Sequence, residues 1–294
     1  MRPVTIVTDT TQYLPQAVRE QHGIEQVSLY VRWGDELHRE SDMADYDDFY
    51  ARLKGATDPP TTSQPSVGDF VAVYEPLLAA GRDIVSIHIS SGLSGTYGAA
   101  VQAKAMLDEQ GGEGQIAVID TESACGGLAC LALVGAAGAA AGEDIDAVQA
   151  RLAEARRYLK IWFCIDTLEY LRRGGRIGSA QAWVGTALKI KPILSVAREI
   201  TPVERVRTRG RAFERMVDYM RERHDEGADC WVLQHIQAPD QAERLVERGR
   251  EIFGSEPWFV SEIGPVIGTY TGPGMIGVGG LPTRFVGPGP SAPS

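Results

Sequence analysis

The chain has 294 residues, 44% hydrophobic and 23% charged, with a net charge of −10. That suffices for one large or two ordinary domains of a soluble, globular kind, and the acidic balance argues against nucleic-acid binding as the main task. The four cysteines (Cys125, Cys130, Cys164 and Cys230) form no C-x-x-C and no zinc spacing, so reduced core thiols, a cytoplasmic protein and no metal site are expected.

Residues 1–5 are strand-like and lack a long apolar core or cleavage site, so no secretion signal is expected. The spacing predicts a buried strand over 4–8 that ends in Asp9-Thr10-Thr11, then a helix opened by Leu14-Pro15 and running to about His22. Asp9-Thr10, at a strand's carboxyl end, is either a ligand contact or a helix cap. Residues 27–33, a Gly34-Asp35 turn and 36–40 read as a hairpin, and 46–54 as a short helix. Prolines hold Pro59-Pro60-Thr61-Thr62-Ser63-Gln64-Pro65-Ser66 extended or turned. This stretch is an exposed connector or a rigid clamp, and local physics favours the connector. Ser66 then caps a helix over 67–80.

An apolar strand over 84–89 leads into Ser90-Ser91-Gly92-Leu93-Ser94-Gly95-Thr96 and a helix over 97–110. That order points backbone N–H groups and the positive end of a helix dipole into one concave spot, where an anion binds. Two other readings are open. Ser94 or Thr96 could simply cap the helix. Ser94 could be a nucleophile, although Thr96 stands where G-x-S-x-G needs its last Gly and no base is near in sequence. A further strand over 115–121 ends in Asp120-Thr121. Three strands, each followed by small polar residues and a helix, are the layout of a parallel sheet with its crevice at the strands' carboxyl ends.

Residues 123–142 carry no charge but are mostly Ala and Gly, flanked by Glu122 and Glu143. A buried helix packed through small residues is expected, and no membrane span. An amphipathic helix over 144–159 follows, then a change of pattern. Strands are predicted over 161–165, 191–196, 200–206, 230–235 and 258–263, and helices over 182–188, 211–224 and 238–253. This divides the chain into domains over 1–157 and 158–286 with a disordered Gly/Pro/Ser tail over 287–294. Gly272-Pro273-Gly274-Met275-Ile276-Gly277 fits G-x-G-x-x-G, but the residues after it cannot form the helix a dinucleotide site needs. There is no Walker-type motif either, so no nucleotide cofactor is expected. Between Arg151 and Arg215 lie 15 Lys/Arg and 6 Asp/Glu, a local net of +9 that leaves −19 for the remainder. Such a segment either faces an anionic partner or is spread over solvated helix faces.

Taken together, Asp9-Thr10, Thr62-Ser63-Gln64-Pro65-Ser66, the Ser90–Thr96 turn, Leu168-Glu169-Tyr170-Leu171 with Gly174-Gly175-Arg176-Ile177, Lys191-Pro192-Ile193, Arg205-Val206-Arg207-Thr208-Arg209 and Thr271-Gly272-Pro273-Gly274 resemble the DegV family in family order. That family includes the fatty-acid-binding subunits of bacterial fatty acid kinase. The resemblance implies a two-domain α/β protein: a parallel α/β/α sheet domain and an α/β domain with a mixed sheet, the ligand between them. It implies a long-chain fatty acid in an apolar tunnel, with its carboxylate at Thr62 and Ser94, helped by backbone N–H groups near Ser63 and Gly95. On this picture the donors suffice without a buried cation, and the Ala/Gly-rich helix from Gly126 is a tunnel wall. The protein would be a carrier rather than an enzyme, presenting the carboxylate to a separate ATP-dependent kinase. Arg172, Arg173, Arg176, Arg207 and Arg209 would form the docking or phosphate-steadying face. One position departs from the pattern: Tyr270 stands where family members commonly carry His. A phenol donates a hydrogen bond but brings no positive charge. If Tyr270 redirects specificity, the same site takes another small anion or phosphorylated metabolite.

Overall fold

A computed structural model describes residues 2–184 and 190–287. The first half runs β1 (Val4–Asp9), a 3-10 turn (Thr10–Gln12), α1 (Gln16–Gln21), β2 (Glu25–Val27), β3 (Tyr30–Trp33), β4 (Glu36–Arg39), α2 (Asp47–Lys54), β5 (Thr61–Ser63), α3 (Val67–Ala79), β6 (Asp83–His88), α4 (Thr96–Gln110), β7 (Ile116–Asp120), α5 (Gly126–Ala140) and α6 (Ile145–Arg156). The second runs β8 (Lys160–Cys164), α7 (Glu169–Arg173), β9 (Lys191–Ala197), β10 (Glu199–Val206), α8 (Arg209–Asp225), β11 (Cys230–His235), α9 (Pro239–Phe253), β12 (Val260–Glu262), α10 (Pro265–Thr271) and β13 (Ile276–Leu281).

Strands β2-β1-β6-β7 form a parallel sheet. β1 and β6 are buried along their whole length, so even their polar residues (Thr5, Thr8 and Asp9; Asp83, Ser86 and His88) are covered and no exposed face alternates with a buried one. Their carboxyl ends, with that of β7, bring Asp9, the Ser90–Thr96 turn and Asp120 to one edge. The second sheet is mixed, in the order β10-β9-β8-β13-β11-β12, antiparallel throughout except for β11 with β12. A small antiparallel sheet, β4-β3-β5, completes the set.

Several sequence expectations need correction. Val27 leaves the hairpin to pair with Asp9 in the parallel sheet, so only β3 and β4 are the hairpin. The proline-flanked stretch is a strand: Thr62 pairs with Val31 and Ser63 with Tyr30. Residues 276–281, read only as non-helical, are the strand between β8 and β11. There a Cβ on Gly280 would collide with the Cys230 carbonyl, so close strand approach needs glycine. Gly178–Trp183 form a 3-10 helix where a helix over 182–188 was expected, and 185–189 lie outside the described residues. Of the tail over 287–294, residues 288–294 also lie outside them.

α5 is buried along almost its full length between the two large sheets. A Cβ on Gly135 would stand 3.0 Å from Ile6 and 3.1 Å from Ile87, and one on Gly126 3.2 Å from Val232. Small residues thus let one helix approach β1 and β6 on one side and β11 on the other. Among the described residues no helix is long and apolar enough to cross a membrane.

Candidate functional site

β5 is fixed by its pairing with β3, and the residues after it by a capping box. The Ser66 side chain accepts from Asp69 N at 3.1 Å, Asp69 Oδ2 accepts from Ser66 N at 2.8 Å, and Tyr30 donates to Asp69 Oδ1 at 2.9 Å. Thr62, Ser63 and Gln64 therefore form the rigid clamp, not the loose connector that local physics favoured. Side chains alternate along a strand, so Thr62 and Gln64 share a face once the strand is seen. Gln64 abuts Gly95 so closely that a Cβ there would strike its amide.

The Ser90–Thr96 turn is pinned on both sides. Ser94 N donates to Ser90 O at 3.1 Å and Ser91 N to Asp120 Oδ1 at 3.2 Å. Ser90 Oγ donates to Arg198 O at 2.6 Å, and Arg198 N to Glu122 O at 2.8 Å, which ties the turn to the β9–β10 connection. α4 begins with Gly95 as N-cap and no side-chain cap. Ser94 Oγ instead lies 2.8 Å from Thr96 Oγ1. Ser94 Oγ also accepts from Thr96 N at 3.3 Å, so the capping reading holds in part: Ser94 meets one opening N–H of the helix from just outside its N-cap.

The second half of the chain supplies the opposing wall. The Tyr270 hydroxyl lies 2.6 Å from Thr62 Oγ1. The Tyr270 ring lies so close over Gly174 that a Cβ there would run into it. Arg176 sits with its guanidinium carbon 4.9 Å from the ring centroid, donating to Gly174 O at 2.9 Å and Leu93 O at 3.3 Å. One arginine thus joins the turn, the Gly174 loop and the tyrosine.

These residues converge on a cavity of about 350 Å³, within the range usual for small-molecule sites. Thr62, Ser63, Gln64, Ser94, Gly95, Arg176 and Tyr270 all line it. Their mutual contacts place most of them in one polar cluster. The rest of the wall is largely apolar: Leu29, Ile89 and Leu93 from the first half, and Ile161, Phe163, Val196, Ile200, Val266, Ile267 and Met275 from the second. Cys125 also lines it; burial pushes its thiol well up, so it acts as apolar wall. Of the Ala/Gly-rich helix, only the residues just before its start, Ala124 and Cys125, reach this cavity. The helix body fills the space between the sheets instead. Among the described lining residues Arg176 alone is charged; its guanidinium is exposed, so the cation at the cavity's rim is a solvated one and not a buried one.

The other basic residues lie outside the cavity. Arg172 and Arg173 both pair with Glu169, at 2.7 and 2.6 Å, which holds that carboxyl down to about 2. Arg209 pairs with Asp166, which also takes Lys191 at 2.7 Å. Arg207 is exposed. Much of the basic segment is therefore neutralised locally, although these arginines remain on the surface.

Asp9 is a cap and a core acceptor, not a ligand contact. Its Oδ1 accepts from Thr11 N at 3.1 Å; its Oδ2 accepts from Ile89 N at 3.0 Å and lies 3.0 Å from His88 Nδ1. His88 Nε2 lies 2.7 Å from Ser86 Oγ, to which Tyr74 donates at 2.6 Å. This Asp-His-Ser array is fully buried and lines no part of the cavity, so it is scaffold. Among the described residues no histidine lines the cavity to serve Ser94 as a base. Gly272–Gly277 lie between α10 and β13, helix before strand, the reverse of a dinucleotide motif. Among the described residues no group of His, Cys, Asp or Glu is arranged to hold a metal.

Against known proteins, a family model described as "Uncharacterised protein, DegV family" matches residues 3–283. The chain is 35% identical over 281 residues to Protein DegV of Bacillus subtilis, covering 94% of this chain and 98% of that one. Its fold matches the crystal structure of DegV, a fatty acid binding protein from Bacillus subtilis, with a TM-score of 0.87, 33% identity and coverage of 96% and 99%. It also matches a fatty-acid-binding DegV family protein from Thermus thermophilus with a TM-score of 0.85, 33% identity and coverage of 96% and 100%.

Proposed function

The chain belongs to the DegV family, and on that premise we propose that it is a lipid carrier that holds one long-chain fatty acid between two α/β domains, 1–157 and 158–286. The observation that carries this reading is a single cavity with an apolar body and a polar head assembled from both halves of the chain. The acyl chain supplies most of the affinity, at about 0.8 kcal/mol per buried CH₂. A desolvated carboxylate needs several donors. Thr62, Ser94 and Tyr270 offer hydroxyls, the backbone near Ser63 and Gly95 offers N–H groups, and Arg176 offers the charge that the phenol lacks.

The carrier works in the cytoplasm, where its free thiols stay reduced, and needs no cofactor of its own. It presents the carboxylate to a separate ATP-dependent fatty acid kinase and does no chemistry itself. Arg172, Arg173, Arg207 and Arg209 are the docking residues for that kinase; Arg176 stands between docking face and head group. Native mass spectrometry of the purified protein, followed by denaturing analysis of what it releases, tests the proposal. A released fatty acid, weakened or lost in Thr62→Ala with Ser94→Ala, is the expected result. An empty protein that takes up no fatty acid, or a released phosphate ester, overturns it in favour of another small anion.

A further inference from the structure

Glu40 follows β4 and is 2% exposed, yet nothing in the head-group cluster touches it directly. Its Oε1 accepts from Tyr13 OH at 2.8 Å and from Val266 N at 2.8 Å. Tyr13 OH in turn accepts from Ile267 N at 3.3 Å. Tyr50 OH donates to Ile263 O at 2.6 Å and Gly264 O at 3.0 Å. α10 has Gly264 as N-cap and no side-chain cap of its own, so residues from the first half of the chain satisfy its opening N–H groups. The approach is tight: a Cβ on Gly264 would stand 2.8 Å from both Glu40 Oε1 and the Tyr13 ring.

α10 also carries Val266, Ile267, Tyr270 and Thr271 to the cavity. It is gripped at its start by Glu40, Tyr13 and Tyr50, and toward its end by the bond between Tyr270 and Thr62. The grip at the start is incomplete: Glu40 Oε2 is buried with no partner at hydrogen-bond distance, and the nearby Thr10 side chain offsets only part of that cost. An ionised carboxylate with one bare oxygen is costly to bury. Among the described residues the titratable groups that interact electrostatically with Glu40 are Asp9, Tyr13, Tyr46, Tyr50 and Cys125, none of them a cation. Burial raises its carboxyl to about 7, outweighing Thr10, Val266 N and Tyr13, which as hydrogen-bond donors pull it down.

We infer that Glu40 is a positioning residue for the head-group clamp: in its protonated form it docks α10 through Val266 and Tyr13 so that Tyr270 meets Thr62, and loss of the proton loosens that hold. The inference rests on the reading of the cavity as a fatty-acid site. When α10 is docked, Glu40 titrates near 7; where water reaches it, a carboxyl titrates near 4.3. Docking is therefore strongest below the lower value and weakens as pH rises to the higher one.

The test is the affinity of the delipidated full chain for one long-chain fatty acid across that pH range, in the wild type and in Glu40→Gln. Gln keeps an acceptor for Val266 N and Tyr13 OH and cannot ionise. The wild type is expected to weaken by about fivefold or more relative to Glu40→Gln as pH rises, with the variant binding at least as tightly at the alkaline end. Glu40→Ala, which removes the acceptor, is expected to weaken binding at every pH, and Thr62→Val added to it is expected to cost less than Thr62→Val alone. Parallel pH profiles for wild type and Glu40→Gln would overturn the role of Glu40 while leaving the carrier reading intact. Absence of fatty-acid binding in both would overturn the carrier reading, and the role of Glu40 with it.

Discussion

Two buried carboxyl groups in the first half of the chain have opposite fates. Asp9 spends both oxygens: Oδ1 on Thr11, Oδ2 on Ile89 N and His88. Glu40 spends one oxygen on Tyr13 and Val266 and leaves the other bare. Asp9 bonds within one sheet and the turn that follows it. Glu40 reaches across to a short helix of the other half. A fully satisfied buried acid specifies a rigid frame, whereas a partly satisfied one keeps a protonation equilibrium within reach of physiological pH. The cavity is built against the first and adjusted by the second.

The comparison is broken most severely at Asp9. Asp9→Ala strands two backbone N–H groups and His88 in the core, and should cost about 3–5 kcal/mol in a denaturant titration. A loss under 1 kcal/mol would remove Asp9 from the frame.

Next in size is the pH dependence that Glu40 imposes on the fold itself. Its folded-state value is raised from 4.5 to about 7, so its contribution is full below the unfolded value and is lost as pH rises through the folded one. Glu40→Gln should therefore exceed the wild type by roughly 1–3 kcal/mol above that window and converge on it in acid. Urea midpoints at either end of the range would check this, and a variant less stable at the alkaline end would contradict it. Thr62→Val cuts the far end of the α10 grip and should lower fatty-acid affinity about tenfold with little change in melting temperature. Smallest of all, Arg176→Gln should weaken binding by a few-fold at low salt and less at high salt, because the guanidinium is exposed. A salt-independent loss would mean that Arg176 acts by holding Leu93 and Gly174 in place.

These contrasts bear on how much the sequence could tell. β1, β6 and β7 were legible because each pairs a short run rich in Val and Ile with a small polar turn and a helix, and α3 because Ser66 and Asp69 spell a cap. β13 was not, since Gly277, Gly279 and Gly280 have no side chains to alternate and their need appears only against Ile161 and Cys230. β5 is three residues between prolines, and α10 is seven residues containing Gly268, both too short for periodicity to show. Local physics marked the turn that holds Ser94 and Gly95 as an anion site, whereas Thr62, Tyr270 and the carboxylate role came from resemblance to a family; the fold does bring these residues together. Arg176 was seen as basic but assigned only to an outer face, because nothing in Gly174-Gly175-Arg176 says that the arginine turns back over Tyr270. Glu40 was invisible. In Glu36–Asp42 it is one acidic residue among several, and only packing against Gly264 makes it different.

The small residues of α5 also decide how a guest can enter and leave. With Gly135 seated on Ile6 and Ile87, and Gly126 against Val232, the helix fastens both large sheets to a common spine. Parting them like the covers of a book would strip that spine from one side and wet its apolar flank. α10 is a short helix joined to β5 through Tyr270 and Thr62, so on the carrier reading a guest would exchange past α10 and not between the sheets. On that reading the time a lipid spends inside would follow the local stability of α10, with the fold as a whole staying shut.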